Sequence, residues 1–129
     1  MAKTMLDEKN PLEFEANLDR CSDHLQEMVA YLRSKAKGAG VDVKTRRFKH
    51  PKPNSGWGIT YYTGGERFCE FNPKIRANQV WVFLHGADRS TLVAEGFEPS
   101  KQDGWFKVRT MREAERMVKW ILEAYDGRG

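Results

Sequence analysis

The chain has 129 residues, 40% of them apolar, 12% aromatic and 31% charged, with a net charge of +4. That length suits one domain around one core, and the mix excludes a disordered, low-complexity or collagen-like chain, while the apolar runs fall far short of the about 20 residues that a spanning helix needs. The charge is concentrated: residues 43–77 hold 8 basic and 2 acidic side chains, a sum of +6, whereas residues 1–42 sum to −2 and residues 78–129 to 0.

Met1 to Asn10 carries no apolar stretch of signal-peptide length and reads as a flexible start; a single domain over residues 11–127 and a cytoplasmic location are expected. Asn10-Pro11-Leu12-Glu13 has the order of a helix N-terminus, with a capping amide and a proline at the first helical position, where no N–H is needed. Phe14, Leu18, Cys21, Leu25, Met28 and Leu32 then recur every three or four residues, which predicts one long helix reaching Lys37 and stopped by Gly38 and Gly40. The same seam could pair with a partner helix, but the sheet that follows offers it a surface within the chain.

Val41 to Lys49 predicts a strand, ended by Pro51 and Pro53. Trp57 to Thr63 alternates, Gly64-Gly65 is a two-residue hairpin signal, and Glu66 to Phe71 returns before Asn72-Pro73. Gln79 to His85 reads as a central strand covered on both faces, ended by Gly86. Arg89 to Glu95 forms a short helix or turn, Gly96 to Gly104 a loop, and Trp105 to Arg109 a last short strand. Thr110 and Glu113 have capping-box spacing and open a helix along Ala114, Met117, Val118, Ile121, Leu122 and Tyr125, capped by Gly127. The fold class is α+β: a long N-terminal helix, an antiparallel meander of about four strands and a C-terminal helix, both helices on one face of the sheet.

The strand-rich middle, followed by Trp105-Phe106-Lys107-Val108-Arg109-Thr110-Met111-Arg112-Glu113-Ala114-Glu115 and a terminal helix ending Ile121-Leu122-Glu123-Ala124-Tyr125-Asp126, resembles small bacterial α+β domains of the MmcQ/YjbR-like and predicted-transport-protein groups. The resemblance implies a helix, a sheet and a closing helix, an architecture compared in some members with DNA-binding folds. It carries over no catalytic residue.

Four sets of residues are candidates for function. In the basic middle, Lys44, Arg46, Arg47, Lys49, Lys52 and Arg67 suit a phosphate backbone. Strand alternation puts Ile59 and Tyr61 on one face and leaves Tyr62 as the ring able to stack on a base. Cys21 and His24, with Cys69, His50 or His85, hold zinc-type donors without a paired-cysteine knuckle, so buried reduced thiols are the simpler reading and no metal or cofactor is expected. His85, Asp88, Arg89 and Ser90 gather a base, a carboxylate, a guanidinium and a hydroxyl at one turn, where capping explains the polar residues more simply, and no enzyme activity is expected. Trp57, Trp81, Trp105 and Trp120 could line a pocket or fill a core. The residues thus point to a non-enzymatic domain, a monomer or weak dimer, that binds nucleic acid or another polyanion. A protein-interaction accessory module and a small-molecule-binding domain are the alternatives.

Overall fold

Alternating side chains and one extra residue in the middle of the sheet determine what each face of this protein presents. The computed structural model describes the backbone of residues 5–6, 11–38, 40–52 and 55–128, and side-chain surroundings for residues 14–38, 40–44 and 58–127. The elements run β1 (Met5–Leu6), α1 (Pro11–Asp19), α2 (Asp23–Ala36), β2 (Val41–Lys52), β3 (Ser55–Thr63), β4 (Glu66–Lys74), β5 (Gln79–Leu84), α3 (Arg89–Ala94), β6 (Glu98–Pro99), β7 (Trp105–Val108) and α4 (Met111–Arg128). The strands pair in the order β1-β2-β3-β4-β5-β7-β6, each pair antiparallel. The class is α+β, and the expected four-strand meander is the β2–β5 centre of a wider sheet.

The single long helix is corrected to two. Arg20 N and Cys21 N bond back to Asn17 O and Leu18 O, tightening the last turn of α1. Ser22 is extended, and its Oγ accepts from Leu25 N at 3.1 Å to start α2. The same hydroxyl donates to Asn78 Oδ1 at 2.6 Å, tying the junction to the turn between β4 and β5. The seam survives the break because both helices face one core: Phe14, Cys21, Leu25, Met28 and Leu32 are all buried. Those residues pack against the sheet and α4, so the seam has its partner within the chain. α2 ends at Ala36 on an extended Lys37, and the left-handed residue is Gly40, in the turn before β2. The Asn10 cap lies outside the described residues.

Five more expectations change. Met5 and Leu6 add a strand beside Arg46 and Thr45, where a flexible start was expected. Glu98–Pro99 pairs with β7 inside the expected loop. α4 runs through Gly127 to Arg128. β2 continues past Pro51 to Lys52, with its register to β3 shifted between Arg47 and Lys52, and β4 continues through Pro73, opposite Val80. Gly64 and Gly65 have φ of 60° and 82°, the left-handed pair that lets a two-residue turn follow the twist of its strands. Thr110 Oγ1 accepts from Glu113 N at 3.1 Å, while Glu113 Oε1 accepts from Arg109 N at 2.7 Å, one residue before the reciprocal partner of a regular capping box.

The inner face of the sheet packs on α2 and α4. Ile59, Tyr61, Cys69, Phe71, Val80, Val82, Leu84, Phe106 and Val108 all point into that core. β5 alternates strictly: Val80, Val82 and Leu84 are fully buried, while Gln79, Trp81 and Phe83 are half-buried on the outer face, so this strand is not covered alike on both sides. Between Tyr61 and Tyr62 the pairing to β4 jumps from Cys69 to Arg67, which leaves Phe68 as a bulge residue. Phe68 turns inward and meets Tyr125 of α4 edge-on, with centroids 5.4 Å apart.

Gly58 sits beneath two outer-face side chains. A Cβ there would run into the Asn72 amide and lie 2.9 Å from Glu70 Oε2. Gly58→Ala is therefore expected to cost about 1–3 kcal/mol, the range for overpacking a site that cannot relax, as read from urea denaturation. Inside the core, Arg33 Nε donates to Tyr61 Oη at 3.3 Å. Burial nevertheless pushes the Tyr61 phenol up from 10 to about 12. The folded state thus keeps a proton that the unfolded chain releases, so stability present below pH 10 is lost as pH rises through about 12. Tyr61→Phe should flatten that loss in denaturation curves taken across the alkaline range.

Candidate functional site

Strand register sorts the outer face into rows. Thr60, Glu70, Phe83 and Trp105 lie side by side across β3, β4, β5 and β7, and Asn72, Trp81, Lys107 and Glu98 form the next row. Cations lie over rings along both. Lys44 Nζ is 5.4 Å from the Tyr62 centroid, the Arg67 guanidinium carbon is 3.9 Å from that of Phe83, and Phe83 and Trp105 are 5.5 Å apart. Lys74 and Lys107 approach Trp81 to 4.8 and 5.3 Å, and Trp81 Nε1 donates to Gln79 Oε1 at 2.8 Å. Each such pair places an ammonium or guanidinium against the negative face of a ring, and holds that ring at the surface.

Beneath this layer is a buried polar floor. Glu70 and Thr60 are fully buried and Asn72 nearly so. Arg67 Nη1 donates to Glu70 Oε1 at 2.9 Å, and Asn72 turns its amide nitrogen to Glu70 Oε2 at 2.9 Å and Phe71 O at 3.1 Å. Among the described residues, Thr60 Oγ1 makes no hydrogen bond. A carboxylate without exposure to water is stable only when paired and hydrogen-bonded, so Glu70 holds Arg67 in place. Burial also pulls the Lys74 ammonium below its usual range, against the nearby charge of Glu70.

The second row opens into a hollow of about 800 Å³ between the sheet and the turn after β6. Trp81, Trp105 and Asn72 line it with the cations Arg67, Lys74, Arg89, Lys101 and Lys107. Lys107 Nζ contacts Glu98 Oε2 at 3.2 Å, and with Arg109 it holds the Glu98 carboxyl below its usual range.

Three of the sequence candidates come together: Lys44, Tyr62 and Arg67 neighbour one another on the outer face. By register, Arg46 lies opposite Gly58, Arg47 opposite Trp57 and Lys52 opposite Ser55, with Lys49 in the shifted stretch between them. The side chains of these four and of Trp57 lie outside the described ones. The sequence reading missed Lys74, Lys101 and Lys107 and grouped Arg89 with His85, Asp88 and Ser90 instead, because strand pairing and the turn bring these four to the hollow. The signal available was the alternation in Gln79 to Leu84, which puts Trp81 and Phe83 on one face.

The other candidates are placed elsewhere. Cys21 and Cys69 are free and buried, which pushes both thiols up, and Cys21 Sγ donates to Asn17 O at 3.7 Å. His24 Nε2 pairs with Arg109 O at 2.9 Å. No group of metal-ligating side chains assembles among the described residues. Asp88 caps α3, accepting from Ser90 N at 3.3 Å and Thr91 Oγ1 at 2.7 Å, and among the described residues no hydrogen bond joins His85 to Asp88 or Ser90. Trp120 donates to Glu95 Oε1 at 3.2 Å, away from the hollow. No helix among the described residues is long and apolar enough to cross a membrane.

No protein-family model matches the chain, and no curated protein or solved structure matches it. The geometry yields its own test. Arg67→Ala withdraws a guanidinium from the fully buried Glu70 and should cost about 2 kcal/mol in thermal or urea unfolding, while Arg67→Lys, which restores charge without the fork, should recover part of that.

Proposed function

We propose that this chain is a non-enzymatic domain that binds single-stranded nucleic acid across the outer face of its sheet. One observation carries the reading: cations and aromatic rings alternate across that face, with Lys44 over Tyr62, Arg67 over Phe83, and Lys74 and Lys107 over Trp81. Phosphates are drawn to the cations and unpaired bases to the rings. Single strands fit this surface better than a duplex, because a duplex keeps its bases stacked on one another and offers no ring face to a flat sheet.

The face has the width for such a strand. From Lys44 on β2 to Lys107 on β7 there are four strand spacings, or about 19 Å. The basic residues Arg46, Arg47, Lys49 and Lys52 belong to the same β2, and extend the positive charge along it. The sheet also supplies rigidity: a ring carried on a paired strand, held by a cation above it, gives up little freedom when a base stacks on it.

The test is fluorescence anisotropy with short single-stranded and duplex DNA and RNA at increasing salt. With about four phosphates neutralised, single-strand affinity should fall about 50-fold between about 50 and 200 mM salt. Trp81→Ala should weaken binding about 5- to 150-fold, the worth of one stacked base. Reversal of Arg46 and Arg47 to glutamate should weaken every sequence alike. Affinity that ignores salt, or no binding at the lowest salt, would overturn the proposal.

A further inference from the structure

Charge and shape are both uneven within the hollow. Its floor is aromatic, with Trp81 and Trp105, and the turn Ser100 to Gly104 forms a wall at the β7 side. That wall is tied down. Ser100 N donates to Trp105 O at 3.0 Å, Gln102 N to Ser100 Oγ at 3.0 Å, and Leu84 N to Gly104 O at 2.9 Å. Arg89 reaches from α3 to donate through Nη1 to Ser100 O at 3.0 Å. A guanidinium has five N–H donors in a fixed fork, so this bond positions Arg89 and leaves other donors for an anion.

The balance of charge differs from one end of the face to the other. Arg67 is held by Glu70 and Lys107 by Glu98. Among the described residues, Arg89 and Lys101 have no carboxylate partner. Arg89 and Lys101 therefore present their charge beside the tryptophans unengaged by an ion pair, on a turn that also carries the exposed Asp103. The volume of about 800 Å³ falls within the range of about 300–1,000 Å³ in which proteins enclose small molecules, so the hollow has room for one nucleotide.

Building on the strand-binding reading above, we propose that the hollow receives the terminal nucleotide of the strand, its base against the half-buried Trp81 and its terminal phosphomonoester at Arg89 and Lys101. In this arrangement the turn bounds the hollow at the β7 side, and a chain lying across β2 to β5 reaches it by its end. A terminal phosphomonoester carries a charge of about −1.5 to −2 near neutral pH and three free oxygens, more than one internal phosphodiester offers, which suits two cations that no ion pair engages.

The experiment compares one short single-stranded sequence with a 5′-phosphate, with a 3′-phosphate and with hydroxyls at both ends, alongside the free nucleoside monophosphate, at fixed salt. One phosphorylated end should bind about tenfold or more tightly than the hydroxyl-ended strand. That gain should shrink as pH falls through about 6, where the monoester takes up its second proton. Arg89→Gln with Lys101→Gln should weaken all three strands through lost charge but bring the phosphorylated and hydroxyl-ended ones to equal affinity, with the circular dichroism spectrum showing that the variant still folds. Equal affinity for all three strands, with the salt slope intact, would overturn end recognition and leave strand binding standing. Binding of the free monophosphate without binding of any oligonucleotide would overturn both.

Discussion

The bulge at Phe68 sets the chemistry of both faces of the sheet. In a regular strand residues three apart point to opposite sides, so Arg67 and Glu70 could not meet. The extra residue resets the alternation: Tyr61 pairs with Cys69 and Tyr62 with Arg67, so Arg67 joins Glu70 on the outer face. The same residue delivers Phe68 to the inner layer beside Cys69, where it meets Tyr125. One inserted position thus fills the core under α4 and creates the ion pair over which the outer face is built. Without it the Arg67 guanidinium would face the helices, where a charge without a partner is costly.

From that pair the rest of the outer face follows. Glu70 can remain buried because Arg67 and the Asn72 amide satisfy its two oxygens, and Asn72 can lie flat because Gly58 has no side chain beneath it. Arg67, fixed at one end by the carboxylate, lies over Phe83, and Phe83 in turn packs on Trp105 at the edge of the hollow. A buried polar network of this kind has few alternative arrangements, since every partial version leaves a donor or acceptor without a partner in a low dielectric. That is a physical reason for the rings to be preorganised on a face that the helices do not cover.

The parts of this structure that were legible in the sequence are those encoded locally. Gly64-Gly65 marks the hairpin because two successive left-handed residues are needed there, and Thr110 with Glu113 marks the start of α4 because a side chain must serve an N–H three residues on. Even the placement of Tyr62 opposite Tyr61 follows from simple alternation. The break at Ser22 was hidden because the apolar spacing runs through it unchanged, and the partner that fixes it, Asn78, is supplied by a distant turn. The bulge leaves no mark of its own, since Phe68, Cys69 and Phe71 look alike to a pattern of apolar residues. The hollow was less legible still. Lys107 reaches Trp81 only through the pairing of β5 with β7, and Arg89 reaches the wall only through the carbonyl of Ser100.

Exposed rings on an open sheet are hazardous in water, because a contiguous aromatic surface invites association with other copies. Here Tyr62, Phe83 and Trp81 are each overlain by a cation, which keeps the surface hydrated and repels a second copy of the same face. Lys44, Arg67, Lys74 and Lys107 thus serve solubility as well as the proposed binding. Arg89 and Lys101 are different. They cover no ring among the described residues, they have no carboxylate partner there, and one of them is fixed to a wall beside two tryptophans. A surface selected only for solubility gains nothing from orienting a guanidinium into a concavity, whereas a surface selected to hold an anion beside a base does. The fixed Arg89 at the wall of the hollow thus supports the proposed recognition independently of the cations that cover the rings.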